Sequence, residues 1–231
     1  SALFKVFGPT EAGVKELVQG TEEGIELAFL PSFPEIRLRV IVRGADEEEI
    51  TARYQQCEAE ISERLGAYLY GTGDEVMEAV VGRLLKEKGK TIAVAESCTG
   101  GLIAHRITQV SGSSAYFLQG VVAYSNESKE KLLGVPPAVL EKYGPVSKET
   151  AEHMAMGVRE RSGAAIGVAT TGIAGPTGGT PDTPVGRVFI ALATEDIVEV
   201  KQYDFLGDRH GVKLMASTVA LDRVRRYLLG I

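Results

Sequence analysis

The chain is poor in the residues that crosslink proteins or bind metals. Its 231 residues include two cysteines, Cys57 and Cys98, and three histidines, His105, His153 and His210. The cysteines form no CxxC pair and the histidines are widely spaced, so the sequence predicts no disulfide scaffold, zinc module or other metal site. So little cysteine suits a reducing compartment, and we therefore expect a cytoplasmic protein.

Other familiar signatures are also missing. No apolar run approaches the roughly 20 residues that span a membrane, so we expect no membrane partner. Neither the Walker sequence GxxxxGK[ST] nor GxGxxG occurs, and the chain has no internal repeat. It begins with Ser1 rather than methionine, which suggests an excerpt of a longer protein.

Charge and glycine are unevenly distributed along the chain. Residues 1–75 contain 7 Lys and Arg against 15 Asp and Glu, a net charge of −8, whereas residues 76–231 carry +2 within a total of −6. Of the 27 glycines, 14 lie between Gly100 and Gly186. We therefore predict an acidic domain over 1–70 and a nearly neutral, glycine-rich domain over 74–231.

The acidic segment has a β-α-β-β-α pattern, typical of a small sheet with helices on one face. Period-two alternation predicts the strands, and Pro9 and Asp46 mark helix starts. The predicted elements are Leu3–Phe7, Pro9 to about Val18, Gly24–Leu30, Glu35–Val42 and Asp46 to about Leu65. The glycine-rich stretch Gly66–Asp74 is the expected linker.

In the second segment, helices alternate with short buried strands, which predicts a three-layer α/β/α domain. Strands are predicted at Thr91–Ala95, Phe117–Tyr124, Ala164–Ala169, Arg187–Ala193 and Val198–Phe205. Helices are predicted after a cap at Asp74, and at Leu102–Val110, Glu127–Leu133, Pro136–Tyr143, Ser147–Arg161 and His210–Leu229.

Two strand-to-loop junctions could hold a ligand. The stretch Ala95–Gly101 leaves a buried strand through hydroxyls and glycines and opens a helix, an arrangement that presents backbone amides to an anion. A capped turn with small buried residues explains that stretch equally well. The long Gly-Thr-Pro loop Ala169–Gly186 also follows a strand, where α/β folds place ligands, and we favour a functional loop over a flexible surface loop.

Two further segments are less specific. Tyr124–Lys129 is explained more simply by a helix cap and solvated side chains. Arg209, just before the last helix, could clamp a phosphate or form a surface ion pair. Cys98 lies beside Ser97, but a lone cysteine near a buried strand is more often a small apolar residue than a nucleophile.

Taken together, several segments resemble the carboxyl-terminal domain of the CinA (competence/damage-inducible) family over residues 74–231. The matching motifs are Ala95–Gly101, Gly112-Ser113-Ser114, Tyr124-Ser125-Asn126, Gly172-Ile173-Ala174-Gly175-Pro176 and Gly207-Asp208-Arg209. Residues 1–66 resemble the KH-like middle domain of longer members. Those members usually begin with a molybdopterin-binding-like domain that has pyrophosphatase activity on ADP-ribose, which is absent here and fits an excerpt.

The resemblance implies an amidohydrolase that converts nicotinamide mononucleotide to nicotinic acid mononucleotide and ammonia, with no cofactor. Ser97 would be the nucleophile, Lys129 its base and Tyr124 an aid to proton transfer, and the family suggests a homodimer. Amides near Cys98, Thr99, Gly100 and Gly101 would stabilise the oxyanion. The phosphate would lie against Gly112–Ser114, Thr171–Gly172 and Arg209.

Two other classes of function compete with the enzyme. A CinA-like protein could serve as a non-enzymatic interaction module in competence or DNA-damage responses, although a pure scaffold would not need Ser97, Tyr124 and Lys129 together. A KH-like domain could bind nucleic acid. However, residues 1–75 carry net −8, and Gly71-Thr72-Gly73 does not supply the GxxG clamp, so we expect no nucleic-acid partner.

Overall fold

The computed structural model describes residues 1–20 and 25–231. This part of the chain divides into two compact units, Ser1–Val80 and Val81–Ile231. Each unit has its own sheet.

The first unit is a four-stranded sheet with two helices. Its elements are β1 (Ala2–Val6), α1 (Glu11–Leu17), β2 (Ile25–Ser32), β3 (Glu35–Val42), α2 (Glu47–Leu65) and β4 (Leu69–Thr72). The strand order is β2-β3-β1-β4, and all neighbouring strands are antiparallel.

The helices of this unit cover one face of the sheet because apolar residues recur at the period of each element. Phe4 on β1 and Leu38 on β3 are fully buried, and they pack in one cluster with Ile61 of α2. The predicted cap at Asp46 is present, since its side chain accepts a hydrogen bond from the Glu49 amide at 2.8 Å.

Two expectations for the first 90 residues were wrong. The expected linker Gly66–Asp74 contains β4, which pairs with β1 and adds an edge strand to the sheet. The helix expected to start after Asp74 begins only at Met77 and forms α3 (Met77–Glu87). The predicted first residue of β2, Gly24, lies outside the described residues.

The second unit follows the predicted alternation of helices and strands. Its strands are β5 (Ile92–Glu96), β6 (Phe117–Val122), β7 (Ile166–Gly172), β8 (Arg187–Ala193) and β9 (Val198–Asp204). After α3, which spans the division between the units, its helices are α4 (Leu102–Gln109), α5 (Asn126–Leu133), α6 (Pro137–Tyr143), α7 (Lys148–Ser162) and α8 (Arg209–Leu229).

The five strands are ordered β6-β5-β7-β8-β9. The first three are parallel to one another, and β8 and β9 extend the sheet in antiparallel fashion. The carboxyl ends of β5, β6 and β7 therefore meet at one edge. Backbone hydrogen bonds continue past the strand ends there, from Ser97 N to Thr170 O at 2.9 Å and from Ala123 N to Glu96 O at 2.9 Å.

Helices cover both faces of this sheet, which confirms the three-layer expectation. On one face, Ala93 and Ala95 are fully buried in a cluster with residues of α7. The close approach of α7 has a visible cause at Gly167, where a Cβ would lie 2.2 Å from the Ala155 carbonyl oxygen. On the other face, α8 lies beside α4, and Arg106 Nη1 donates to Thr218 Oγ1 at 2.7 Å.

Within the described residues, none of the helices is long and apolar enough to cross a membrane. No group of three or more His, Cys, Asp or Glu side chains in the same residues is arranged to hold a metal ion.

Candidate active site

A serine hydroxyl and a lysine ammonium meet at the carboxyl edge of the sheet. Ser97 directly follows β5, and its Oγ lies 3.2 Å from Nζ of Lys129. Lys129 is on the first turns of α5, whose start is fixed by Ser125, because the Ser125 hydroxyl accepts from the Ser128 amide at 3.1 Å. Lys129 Nζ also donates to the Ala123 carbonyl oxygen at 3.1 Å.

Lys129 is buried in surroundings that disfavour its charge. Its side chain is 1% exposed, and among the residues that the structure describes no carboxylate lies within ion-pair distance of Nζ. Desolvation by burial therefore lowers the pKa of Lys129 below its ordinary value. A neutral amine with the Ala123 carbonyl on one side can accept a proton from the Ser97 hydroxyl.

The buried carboxylate of Glu96, next to Ser97, is hydrogen-bonded to backbone amides of the protein. Glu96 is 1% exposed, and its oxygens accept hydrogen bonds from the amides of Gly101 (3.0 Å), Ile103 (3.0 Å) and Ala104 (2.8 Å). This carboxylate satisfies the first turn of α4 and balances the positive end of its dipole. The start of α4 is therefore not available to a second anion.

These hydrogen bonds limit which amides of the predicted anion-binding turn can reach a ligand. The amide of Gly101 binds Glu96, and the amide of Gly100 binds the Ser97 carbonyl oxygen at 3.1 Å. Both amides are therefore hydrogen-bonded within the protein, and the expected contribution of Gly100 and Gly101 to an oxyanion site stays a prediction. Among the described residues, the amides of Cys98 and Thr99 make no backbone–backbone hydrogen bond. Both face the Cys98 sulfur, which is a weak acceptor, and they are the remaining candidate donors.

The side chains of Cys98 and Thr99 are both withdrawn from solvent. Burial is the main factor that raises the pKa of the Cys98 thiol to about 12, and nearby Glu96 adds to it. Cys98 is therefore a neutral thiol at pH 7, unsuited to nucleophilic attack. Thr99 Oγ1 lies 2.7 Å from Thr170 Oγ1, which ties the turn to β7.

A cavity of about 350 Å³ opens onto the Ser97–Lys129 pair. The structure brings together most of the site residues predicted from sequence. Those lining the cavity are Ser97, Cys98, Tyr124, Lys129, Thr171, Gly172 and Arg209. Further lining residues that were not predicted as site residues are Ser125, Asn126, Pro145, Val146, Ile173, Ala174, Gly175 and Thr177.

Arg209 links Tyr124 and Gly175 by hydrogen bonds at the mouth of the cavity. Its Nη2 lies 3.0 Å from Tyr124 Oη, and its Nη1 donates to the Gly175 carbonyl oxygen at 2.8 Å. Tyr124 is 61% exposed, so its hydroxyl lies at the rim rather than beside Lys129. The first residues of the loop after β7 thus form part of the site, as expected of a functional loop.

Pro145 lies at the site because of a contact that no local sequence pattern predicts. The Thr171 hydroxyl donates to the Pro145 carbonyl oxygen at 2.6 Å, which joins β7 to the segment between α6 and α7. Because this contact links positions 26 residues apart through a backbone carbonyl, it depends on the tertiary fold alone.

Gly112 and Ser114 do not join this site. They precede β6, which runs parallel to β5, so they lie at the opposite edge of the sheet from Ser97. A Cβ at Gly112 would instead lie 3.2 Å from Lys86 Nζ. These two residues therefore do not line this cavity, and their role in holding the substrate phosphate stays a prediction.

The fold and the site define a class of two-domain α/β protein with a buried serine–lysine pair at the carboxyl edge of a mixed sheet. The family model of the CinA C-terminal domain matches residues 74–228. The family model of the damage-inducible protein CinA KH domain matches residues 1–71. The chain belongs to the CinA family.

Named relatives and solved structures agree with this assignment. A CinA-like protein of Geotalea uraniireducens is 44% identical to this chain, and the match covers 99% of this chain and 55% of the relative. A putative competence-damage inducible protein of Thermoanaerobacter sp. is 46% identical, and that match covers 100% of this chain and 56% of the relative. The chain thus spans about half the length of the curated relatives it matches. The crystal structure of a CinA superfamily protein from Klebsiella pneumoniae is similar, with a TM-score of 0.65 and 32% identity over 67% of this chain and 97% of that one. The crystal structure of the competence/damage inducible protein CihA from Agrobacterium tumefaciens has a TM-score of 0.61 and 37% identity, and the match covers 64% of this chain and 94% of that one.

Proposed function

We propose that the protein is an amidohydrolase that removes ammonia from the carboxamide of nicotinamide mononucleotide, giving nicotinic acid mononucleotide. The observation that supports this most directly is the 3.2 Å contact between Ser97 Oγ and the buried Lys129 Nζ. The choice of nicotinamide mononucleotide comes from the family resemblance, and the cavity of about 350 Å³ beside the pair is the proposed place for the amide-bearing ring.

In the first half of the proposed reaction, Ser97 Oγ forms a bond to the carboxamide carbon while its proton passes to neutral Lys129 Nζ. The carbonyl oxygen becomes an oxyanion, for which the amides of Cys98 and Thr99 are the candidate donors. Lys129 then returns the proton to the amide nitrogen as the C–N bond breaks. Ammonia leaves, and the nicotinoyl nucleotide remains as an ester on Ser97.

In the second half, water attacks the ester carbon and gives a proton to Lys129 Nζ. The C–Oγ bond breaks, Ser97 regains its proton from Lys129, and the carboxylic acid product leaves. The Ala123 carbonyl holds Nζ in place throughout, because it accepts one N–H of the amine in either charge state. No metal or cofactor enters these steps.

Tyr124 and Arg209 are proposed to act at the rim of the cavity. The resemblance gives Tyr124 a part in proton transfer, and its Oη contacts Arg209 rather than Lys129. We propose that Arg209 holds the Tyr124 hydroxyl in place and that both residues contact the bound nucleotide, next to Thr171 and Gly172. The homodimer implied by the family stays a prediction.

Trapping the covalent intermediate tests this proposal. The protein is mixed with excess nicotinamide mononucleotide, quenched in acid within the first turnovers, and examined by intact mass and peptide mapping. We expect an adduct equal to the substrate minus ammonia on the peptide that contains Ser97, absent from Ser97→Ala. If Ser97→Ala forms no adduct and still releases ammonia at the wild-type rate, Ser97 is not the nucleophile.

A further inference from the structure

A second cavity adjoins the cavity of the serine–lysine pair at Arg209. It has a volume of about 690 Å³, and it shares Ala174, Gly175 and Arg209 with the cavity of the serine–lysine pair. A molecule that occupies both cavities would therefore pass along Arg209. The second cavity is called the Lys213 cavity below, after the lysine that lines it.

The lining of this cavity favours an anion. Two of its residues, Arg209 and Lys213, have basic side chains, and His210 adds an imidazole. Its acidic residue, Asp208, is engaged as the N-cap of α8, where its Oδ1 accepts from the Gly211 amide at 2.8 Å. The positive charge of the cavity thus exceeds the negative charge, in a chain whose total charge is −6.

Arg209 uses one N–H of each terminal nitrogen for a hydrogen bond within the protein. Nη1 donates to the Gly175 carbonyl oxygen at 2.8 Å and Nη2 to Tyr124 Oη at 3.0 Å. These two contacts leave three of its five N–H donors for other partners and hold the guanidinium in a fixed position between the two cavities. A second cation would add charge and hydrogen-bond donors for an anionic group in this cavity.

Lys213 is the side chain placed to do so. It is half-buried on the first turns of α8, and within residues 1–20 and 25–231 no acidic group lies within ion-pair distance of its Nζ. A half-buried ammonium has three N–H donors to satisfy, and a phosphate monoester carries both the charge and the acceptor oxygens for them.

The position of Lys213 also ties the cavity to the catalytic turn. Its Nζ lies 3.4 Å from the point that a Cβ on Gly100 would occupy. Gly100 follows Ser97 by three residues and donates its amide to the Ser97 carbonyl oxygen. Four residues further along α8, Ser217 accepts from Arg106 of α4 at 2.9 Å, which fixes the two helices side by side.

We propose that the Lys213 cavity is the subsite for the phosphate of the substrate and that Lys213 is a charged ligand of this phosphate beside Arg209. This inference rests on the proposed function, since the amide end would occupy the Ser97 cavity while the phosphate monoester reaches past Arg209. It replaces Gly112 and Ser114, which lie at the other edge of the sheet, and it adds a residue that no motif indicated.

Equilibrium binding of ribose 5-phosphate against ribose tests the subsite without any turnover. The full chain is compared with Lys213→Met, Lys213→Arg and the control Lys201→Met, which removes an exposed lysine on β9. We expect ribose 5-phosphate to bind the wild type and Lys201→Met equally and Lys213→Met about ten- to hundredfold more weakly, with partial recovery in Lys213→Arg. Equal binding by Lys213→Met, or no preference of the wild type for the phosphorylated sugar, overturns the subsite.

Turnover separates this result from the proposed function. With nicotinamide mononucleotide and its dephosphorylated nucleoside as substrates, Lys213→Met should lower the ratio of the two kcat/KM values about ten- to hundredfold. An unchanged ratio contradicts the subsite even if ammonia is released. If the wild type releases no ammonia from either compound, the proposed function fails, and the ribose 5-phosphate measurement still decides whether Lys213 binds a phosphate.

Discussion

The carbonyl oxygen of Leu133, at the end of the helix that carries Lys129, lies only 1.8 Å from the point where a Cβ on Gly157 would be placed. Helix α5 therefore ends directly against the backbone of α7, and only glycine at position 157 leaves room for it. Because Lys129 lies one turn before Leu133, this close approach positions the base of the proposed reaction.

Replacing Gly157 with alanine should separate the two helices. The added methyl group meets backbone rather than a flexible side chain, so we expect the free energy of unfolding to fall by about 1–3 kcal/mol and kcat to fall as Lys129 moves away from Ser97. Urea unfolding and the rate of ammonia release measure the two effects. Gly13→Ala in α1 is the control, since its Cβ meets neighbours at an ordinary 3.4 Å. Unchanged stability in Gly157→Ala would show that α5 adjusts freely.

The buried Lys129 should make both activity and stability depend on pH. Burial lowers the pKa of Lys129 from 10.5, so the unfolded chain binds more protons than the folded one between the lowered value and 10.5. The free energy of unfolding contributed by this group must then rise with pH across that window. Urea unfolding of the wild type and Lys129→Met across pH 6–10 tests this direction. We expect the free energy of unfolding of Lys129→Met, relative to that of the wild type, to be highest at the low-pH end and to fall as the pH rises. A stability difference independent of pH would contradict the placement of a titrating lysine here.

The Cys98 thiol should be inert at neutral pH. Its pKa of about 12 and its burial leave almost no accessible thiolate. We expect iodoacetamide at pH 7.5 to leave Cys98 unmodified in the folded protein and to label it after denaturation, as measured by peptide mass. We also expect Cys98→Ser to retain activity within about tenfold of wild type. Loss of activity in step with alkylation of Cys98 would favour a thiol nucleophile.

Removing the charge of Glu96 should disturb the turn that carries Ser97. A glutamine at this position offers one acceptor oxygen, whereas the carboxylate accepts three amide hydrogen bonds through two oxygens. We expect Glu96→Gln to destabilise the protein by about 1.5–3 kcal/mol, the usual contribution of a charge-assisted hydrogen bond, and to lower kcat. The control is Glu195→Gln, since Glu195 is exposed between β8 and β9. Equal stability of the two variants would show that Glu96 does not hold α4.

Periodicity predicted most of the fold because the second unit buries its strands and amphipathic helices in a regular alternation. The strand Arg187–Ala193 has the predicted bounds, and the other predicted strands and helices of this unit were found within a few residues of their predicted positions. β4 was missed because its four residues lie among glycines, and its pairing with β1 involves chain positions more than 60 residues apart. Such pairing leaves no local pattern.

The site was harder to predict, because its geometry depends on which edge of the sheet each loop reaches. Motif order grouped Gly112 with Ser97, but parallel pairing of β5 and β6 separates them. A glycine-rich turn before a helix also suggested an anion site, but the buried carboxylate of Glu96 fills it. Lys213 was not singled out, since a lysine inside a long helix is ordinary and only the fold brings it to Gly100.

The most direct test of the account is ammonia release from nicotinamide mononucleotide by the wild type, Ser97→Ala and Lys129→Ala, each checked for folding by circular dichroism. A serine nucleophile and its lysine base act as one unit, so either single change should lower kcat by about 10³-fold or more, and the double variant should be little worse than either. Wild-type ammonia release that persists in Ser97→Ala or Lys129→Ala would contradict the proposed role of this pair.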